Sequence, residues 1–415
     1  MSGAADRASA RAREALRRAV LSLIVTQMVG WGSVFHAPAV LYAHMSEGIG
    51  ISREFVFGGL TVMLVIAALL SAPVGRVLER DGSRRWMVTG SALTTLALCM
   101  LAAAQGPILF LLSWVVFGAA MPIALNQAAS TAIVQIAPAR ARNAIAILLL
   151  VTGVSSVIAW PMLIWLAEAF GWRGALIVFA GLNVLVCMPL HAWSLPGPTQ
   201  ARQERRDPEP LPESLAPPPE PVRGAYPLAA ISFALAGMLT WGLPLHMVGI
   251  LTGFGHEEKT AVAIGSLFGP GQMISRGFEM VGGSRFDILT TGVMAALLMP
   301  LALAALLAWG ESPGGAIAFA VVYGLSAGFI SIVRAVAPLR LFGVAAYARM
   351  LGRLNMPQNI AFAITPFGFA VISGTWGARL LIEISLGLAL LCLVSIVLLH
   401  RRVMAAERRA VKPTR

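Results

Sequence analysis

The sequence predicts an all-α integral membrane protein, with twelve transmembrane helices in two six-helix bundles related by pseudo-two-fold symmetry. Three observations carry that prediction. Hydrophobic residues make up 58% of the 415-residue chain and charged ones only 12%, about half the charged share usual in a soluble globular protein. Apolar runs of about 20 residues recur along the chain, the length that crosses a hydrocarbon core about 30 Å thick. A short pattern is also repeated: Met28, Trp31, Gly32, His36 and Leu41 return 210 residues later as Met238, Trp241, Gly242, His246 and Leu251.

In chain order, a basic tail at 1–18 precedes an apolar stretch too long for a signal-peptide core, which is read as the first permanent span. Breaking the chain at charge, Gly and Pro places six spans at 19–43, 54–75, 86–104, 108–135, 144–167 and 173–193, the N-terminal bundle of 19–193. Six more fall at 226–252, 259–280, 287–308, 314–337, 355–373 and 379–400, the C-terminal bundle of 226–400, followed by a basic tail at 401–415. Between the bundles lies 194–225, rich in Pro (Pro208, Pro210, Pro212, Pro217, Pro218, Pro219, Pro221) and charge. Such a composition cannot bury a core and predicts a semi-extended, disordered linker.

The net charge is +12, but its placement argues against a nucleic-acid partner. If the spans alternate from a cytoplasmic N-terminus, 27 of 31 Lys and Arg residues lie inside, leaving only Arg53, Arg173, Lys259 and Arg379 outside. That bias is the positive-inside pattern, and the basic face is expected to meet anionic inner-leaflet lipid. The expected address is the cell membrane (the inner one in a Gram-negative cell), multi-pass, with both termini cytoplasmic, and the expected form a monomer. Three cysteines and six histidines are scattered singly. With no metal-ligand spacing, nucleophile elbow or phosphate loop, no enzyme, metal or cofactor is expected.

An ionisable side chain within a bilayer is costly and usually faces protein or a water-filled path. His36 and His246 in two equivalent places therefore suggest homologous halves around a central cavity, as in secondary transporters. Side chains four apart share a helix face, so Gly32 is expected to leave room beneath His36, Gly242 beneath His246, and Gln27 to stack beneath Trp31. Each His is read either as a ligand or proton carrier in the outer part of the pathway, or as hydrogen-bonded to a neighbouring helix or placed in the outer headgroup zone. Trp31 and Trp241 either meet substrate or pack apolar neighbours.

Asn126 and Gln127 in span four, and Gln272 in span eight, either contact substrate or form helix–helix hydrogen bonds worth about 1 kcal/mol. The Gly269-Pro270-Gly271 run before Gln272 is expected to distort its helix and free carbonyls. Arg334, in the inner half of span ten, either binds a carboxylate or phosphate-like anion through its planar fork or snorkels to phospholipid. Arg276 and Glu279, three apart, are expected to pair. Asn355 and Gln358, opening span eleven, are read as parts of an inner gate. Mid-depth carboxylates are almost missing, since Glu168, Asp287 and Glu383 fall near helix ends. Proton coupling is therefore histidine-based or absent.

After span two comes Gly75-Arg76-Val77-Leu78-Glu79-Arg80-Asp81-Gly82-Ser83-Arg84-Arg85. Here the chain resembles the major facilitator superfamily, whose loop between helices two and three reads G-x-x-x-D-R-x-G-x-[RK]-[RK]. It departs in Glu79 for Asp and Ser83 for a basic residue. The resemblance implies a conformational latch made of Gly75, Glu79, Arg80, Gly82 and Arg84. Phe170-Gly171-Trp172-Arg173 is also similar to the superfamily. Residues 117–127 with Arg140 and Arg142 resemble its monocarboxylate-porter-like branch. Span five has Gly153 and Pro161 without the full antiporter pattern. The resemblance implies an alternating-access permease for a small organic solute, with an organic anion such as a monocarboxylate as first expectation. The alternative is efflux of drug-like or toxic compounds.

Overall fold

The computed structural model describes residues 2–198, 210–282 and 285–411, and among these the secondary structure is helical, with no strand. Part of the expected linker (199–209, with Pro208), Gly283 and Ser284, and the end of the basic tail at 412–415 lie outside the described residues.

Among the described residues, eight helices are long and apolar enough to cross a membrane. Two of them, Pro138–Ser194 with 57 residues and Pro313–Arg409 with 97, far exceed the roughly 20 residues of one crossing. Each is folded back on itself at a glycine: Gly171 (φ 72°, ψ 164°) in the first, Gly343 and Gly377 (φ 89°, ψ 167°) in the second. That backbone region is essentially closed to residues with a Cβ, so a single glycine reverses the chain where a loop would be expected. Two crossings therefore come from the first run and three from the second. The eighth predicted span is assembled from two shorter helices, Glu258–Ser266 and Phe268–Gly282. Twelve crossings result among the described residues.

Helices are named here in chain order. The first compact unit comprises Met1–Pro210 and Val344–Met356. It contains α1 (Ser2–Trp31), α2 (Ala37–Ile49), α3 (Arg53–Asp81), α4 (Ser83–Ala103), α5 (Pro107–Ala124), α6 (Asn126–Ile136), α7 (Ala141–Gly153), α8 (Ser155–Leu182) and α9 (Met188–Ser194). Its centre is packed by small residues against rings, the usual device where helices associate in lipid. A Cβ on Gly118 of α5 would come 2.7 Å from the carbonyl of Met63 on α3, and one on Gly90 of α4 would come 2.9 Å from that of Ile123. Trp114, Phe110 and Phe117 are fully buried beside them. The outward faces are apolar instead: Ile108 and Leu185 are each 76% exposed, which suits acyl chains rather than water.

The second unit comprises Leu211–Gly343 and Pro357–Arg415. It holds α10 (Ala225–Leu245), α11 (Met247–Gly253), α12 (Glu258–Ser266), α13 (Phe268–Gly282), α14 (Ile288–Trp309) and most of α15 (Pro313–Val411). Here α13 meets α15 through Gly271, Gly324 and Gly328, whose backbones lie too close for side chains. Residues 211–217, expected to be disordered, are fastened down. Leu215 is buried, and the Arg340 guanidinium donates to the Ala216 carbonyl, to Asp287 and to Glu407. A buried arginine must find acceptors, and the linker end supplies one.

The two glycine corners that share the spacing Gly-x-Arg differ. Arg173 donates to the carbonyls of Gly48 (3.1 Å), Ala102 (3.0 Å) and Ala104 (2.9 Å), tying the ends of α2 and α4 to α8. Arg379, 206 residues later, is 65% exposed and lies only 3.7 Å from Glu383. Beside it a cavity of about 410 Å³ is lined by Gly253, Phe254, Gly255, Glu311 and Arg379.

Candidate functional site

In the first unit the repeated Trp-Gly-His stretch is not regular α-helix. Residues Gly32–His36 form a π-helical turn, a local widening often found at functional sites. A second such turn, Asn183–Cys187, sits on the neighbouring span. The Asn183 amide joins them, donating to Ser33 Oγ at 3.1 Å and to the Phe179 carbonyl at 2.9 Å. The expectation that Gly32 makes room for the His36 ring is corrected. A Cβ there would strike Phe179 at 2.8 Å, so the glycine serves close helix packing.

Trp160 Nε1 donates to His36 Nδ1 at 3.4 Å, and His36 Nε2 lies 3.0 Å from Ser155 Oγ. Since the indole can only donate, Nδ1 accepts, and Nε2 carries the proton given to Ser155. Both ring nitrogens of this neutral histidine are thus engaged.

Span four is broken at Leu125 (φ −102°, ψ −153°), between α5 and α6. At the break the Ala124 carbonyl accepts from Gln27 Nε2 at 2.8 Å. Gln27 is fully buried, and its Oε1 has no hydrogen-bond partner. The same holds for Asn126 Oδ1, which follows the break, and for Trp31 Nε1, one turn after Gln27. Trp31 stacks on Phe35 with centroids 4.6 Å apart. Gln127 differs: its Nε2 donates to the Ser71 carbonyl (2.9 Å) and its Oε1 accepts from Asn355 (3.1 Å).

The second unit has its own interruption at the repeat: α10 ends at Leu245, and His246 (φ −106°, ψ 7°) separates it from α11. His246 Nε2 donates to the Pro366 carbonyl at 3.1 Å. Gly242 lies against Thr365 and Phe369, not beneath the imidazole. Trp241 stacks on Phe362 at 5.2 Å, and the Arg334 guanidinium lies over the Phe362 ring at 5.5 Å. Arg334 Nε is sealed from solvent and has no hydrogen-bond partner among the described residues. Arg276 and Glu279 are both buried three residues apart on α13, and Arg276 Nε donates to Ser331 at 3.3 Å. Gln272 is half-buried. The expected distortion falls earlier than Gly269-Pro270-Gly271, at Leu267, because Pro270 lies in the first turn of α13, where its missing N–H costs nothing.

The motif after span two closes inside the first unit. Gly82 (φ 79°, ψ 167°) makes the turn from α3 to α4. Gln135 braces that turn, accepting from Ser83 N and Oγ while donating to the Leu78 carbonyl. Arg84 caps the end of α9 through the Leu195 carbonyl (2.8 Å). Exposed Arg80 pairs with half-buried Asp81 (2.7 Å), whereas Glu79 faces Arg349 at 3.7 Å. A Cβ on Gly75 would come 2.5 Å from the Ala348 carbonyl. Segment Val344–Met356 is thus seated on α3 and α6 through Gly75, Glu79 and Gln127. Asn183, Ser155 and Gln135 were not singled out from sequence. The rule that picked Asn126, a lone polar group in an apolar run, would have found Asn183.

A family model described as Major Facilitator Superfamily matches residues 21–333. The purine ribonucleoside efflux pump NepI of Salmonella typhimurium (strain LT2) is 25% identical over 302 residues, 71% of this chain and 72% of that protein. NepI of Escherichia coli O157:H7 is 25% identical over 306 residues, with the same coverage. Among solved structures, the human organic anion transporter MFSD10 (TETRAN) aligns with a TM-score of 0.67 and 16% identity, over 93% of this chain and 99% of that one.

Proposed function

The chain belongs to the Major Facilitator Superfamily, and on that premise we propose an alternating-access secondary transporter whose solute is a small organic anion bound by Arg334. It is a multi-pass membrane transporter and not an enzyme. In this reading it works as a monomer in the cell membrane, with both termini cytoplasmic, bundles at 19–193 and 226–400, and 194–225 linking them. The observation that carries the anion is the sealed, unpartnered Nε of Arg334 over Phe362. An uncompensated cation at membrane depth costs several kcal/mol. Arg276 and Glu279 cancel in formal charge, so Arg334 is left with one positive charge to neutralise. One carboxylate, bound through the guanidinium fork, does so, which favours a monoanion.

The latch is formed by Gly75, Glu79, Arg80, Gly82 and Arg84, with Val344–Met356 as the segment it holds. Release of that segment is the step that alternating access requires. His246, with one ring nitrogen committed to Pro366, is the candidate proton carrier, and His36 has a structural role.

A second reading, efflux of a neutral nucleoside-like compound, is supported by the NepI relatives. Counterflow in proteoliposomes separates the two. Labelled benzoate should exchange in the wild type and fail in Arg334→Gln. Exchange of inosine without benzoate, unaffected by Arg334→Gln, overturns the anion reading.

A further inference from the structure

We infer that the first unit carries a hydrogen-bonding subsite for a neutral, donor-rich, planar end of the solute, formed by Gln27, Trp31 and Asn126. The inference rests on the transporter reading and not on the anion assigned to Arg334.

Three buried polar atoms lack partners here: two amide oxygens, Gln27 Oε1 and Asn126 Oδ1, and one indole N–H, Trp31 Nε1. Leaving such groups unsatisfied costs more than a satisfied bond returns, and several in one neighbourhood point to a missing ligand. Their proximity follows from the fold. Gln27 binds the Ala124 carbonyl, two residues before Asn126, and a Cβ on Gly30 would touch Leu125 at 2.8 Å. The stretch Gln27–Trp31 of α1 therefore lies along the break in span four.

The amide of Gln27 cannot be reversed. Its nitrogen is committed to a carbonyl, which accepts only, so an acceptor oxygen is left over. The subsite thus presents acceptors from Gln27 and Asn126 and a donor from Trp31. The complementary ligand surface carries two O–H or N–H groups and one acceptor. The stacked Trp31–Phe35 pair supplies a flat aromatic wall, and no charged side chain takes part. A vicinal diol on an aromatic ring, or a ring amide, meets these terms, whereas a plain alkyl or aryl group would leave all three atoms unsatisfied.

The test uses thermal shift and counterflow competition on the full chain with matched probes: benzoate, 3,4-dihydroxybenzoate and uncharged catechol. Dihydroxybenzoate should bind about tenfold more tightly than benzoate, the worth of one or two added hydrogen bonds. Trp31→Phe, which keeps the ring and removes only the N–H, and Asn126→Ala should each shrink that advantage to below roughly threefold. Equal binding of the two carboxylates in the wild type, or an advantage that survives both variants, overturns the subsite. Catechol keeps the two readings apart. If it competes as well as dihydroxybenzoate and Arg334→Gln changes neither, the anion reading fails while the subsite stands. If Arg334→Gln abolishes benzoate binding but the hydroxyls never matter, the reverse holds.

Discussion

The two units repeat a frame and fill it with different chemistry. In both, the Trp-Gly-His stretch interrupts a helix, by a π turn at Gly32–His36 and by a break at His246. In both, the histidine hydrogen-bonds a residue about 120 positions further on, Ser155 or Pro366. Unpartnered buried atoms occur on charged groups in both units, Arg18 Nε and Glu79 Oε2 in the first included, and it is in the proposed binding groups alone that the units diverge. Those of Gln27, Trp31 and Asn126 in the first unit are neutral, and that of Arg334 in the second is charged. A duplicated scaffold can therefore carry unlike chemistry in its two halves, unpaired neutral hydrogen-bonding groups in one and an unpaired cation in the other.

The sharpest way to break that comparison is to remove the charge. Arg334→Gln should lower anion exchange by about 30-fold or more, the effect of about 2 kcal/mol from a buried charged contact. Asn126→Ala, measured in the same counterflow assay with benzoate, should change it by less than about threefold. Similar losses from both would mean that the halves are not chemically distinct.

A smaller effect is expected at the latch. Gly75→Val would drive a branched side chain into the Ala348 carbonyl, and backbone cannot step aside as a flexible side chain can. Segment Val344–Met356 should lift from α3, separating Glu79 from Arg349 and Asn355 from Gln127. A cysteine placed at Ala348 should react with a polar maleimide several-fold faster in this variant than alone. An unchanged rate would mean that the segment is held without Gly75.

How much of this was legible in the sequence depended on how far each cause lay from its effect. Spans and the glycine turn at Gly82 are written locally, in run length and in a residue that tolerates positive φ. Gly171 and Gly377 were visible as residues, but not as one-residue reversals, because helix continues on both sides of each. Gln127 and Arg334 were visible as polar groups in apolar runs, yet their fates were not. Gln127 is satisfied by Asn355, 228 residues away, whereas Arg334 Nε is satisfied by nothing. The π turn at Gly32–His36 was read as regular helix. Its bond to Asn183 comes from a span 150 residues on, which no window on span one contains.

The two corners offer a comparison in stability alone. Arg173→Gln removes three charge-assisted hydrogen bonds to the ends of α2 and α4 and should cost about 2 kcal/mol, since some carbonyls will find water. Arg379→Gln loses an exposed 3.7 Å pair and should cost less than about 0.5 kcal/mol. Thermal unfolding of the two variants in the same detergent should separate them clearly. Equal losses would show that the exposed corner carries a contact of similar strength.

The finest contrast lies between the histidines. Protonating His36 would place a hydrogen on Nδ1, where Trp160 Nε1 already donates, so the charged form must break that contact. Protonating His246 at Nδ1 leaves the Nε2 bond to Pro366 intact and strengthens it, because a cation is the better donor. His246→Gln should therefore flatten the dependence of transport on pH while retaining transport. His36→Gln should keep the wild-type profile, its amide nitrogen taking over the bond to Ser155. Counterflow at stepped pH reads both variants. A profile flattened by His36→Gln and untouched by His246→Gln would assign the proton to the first unit and reverse the comparison.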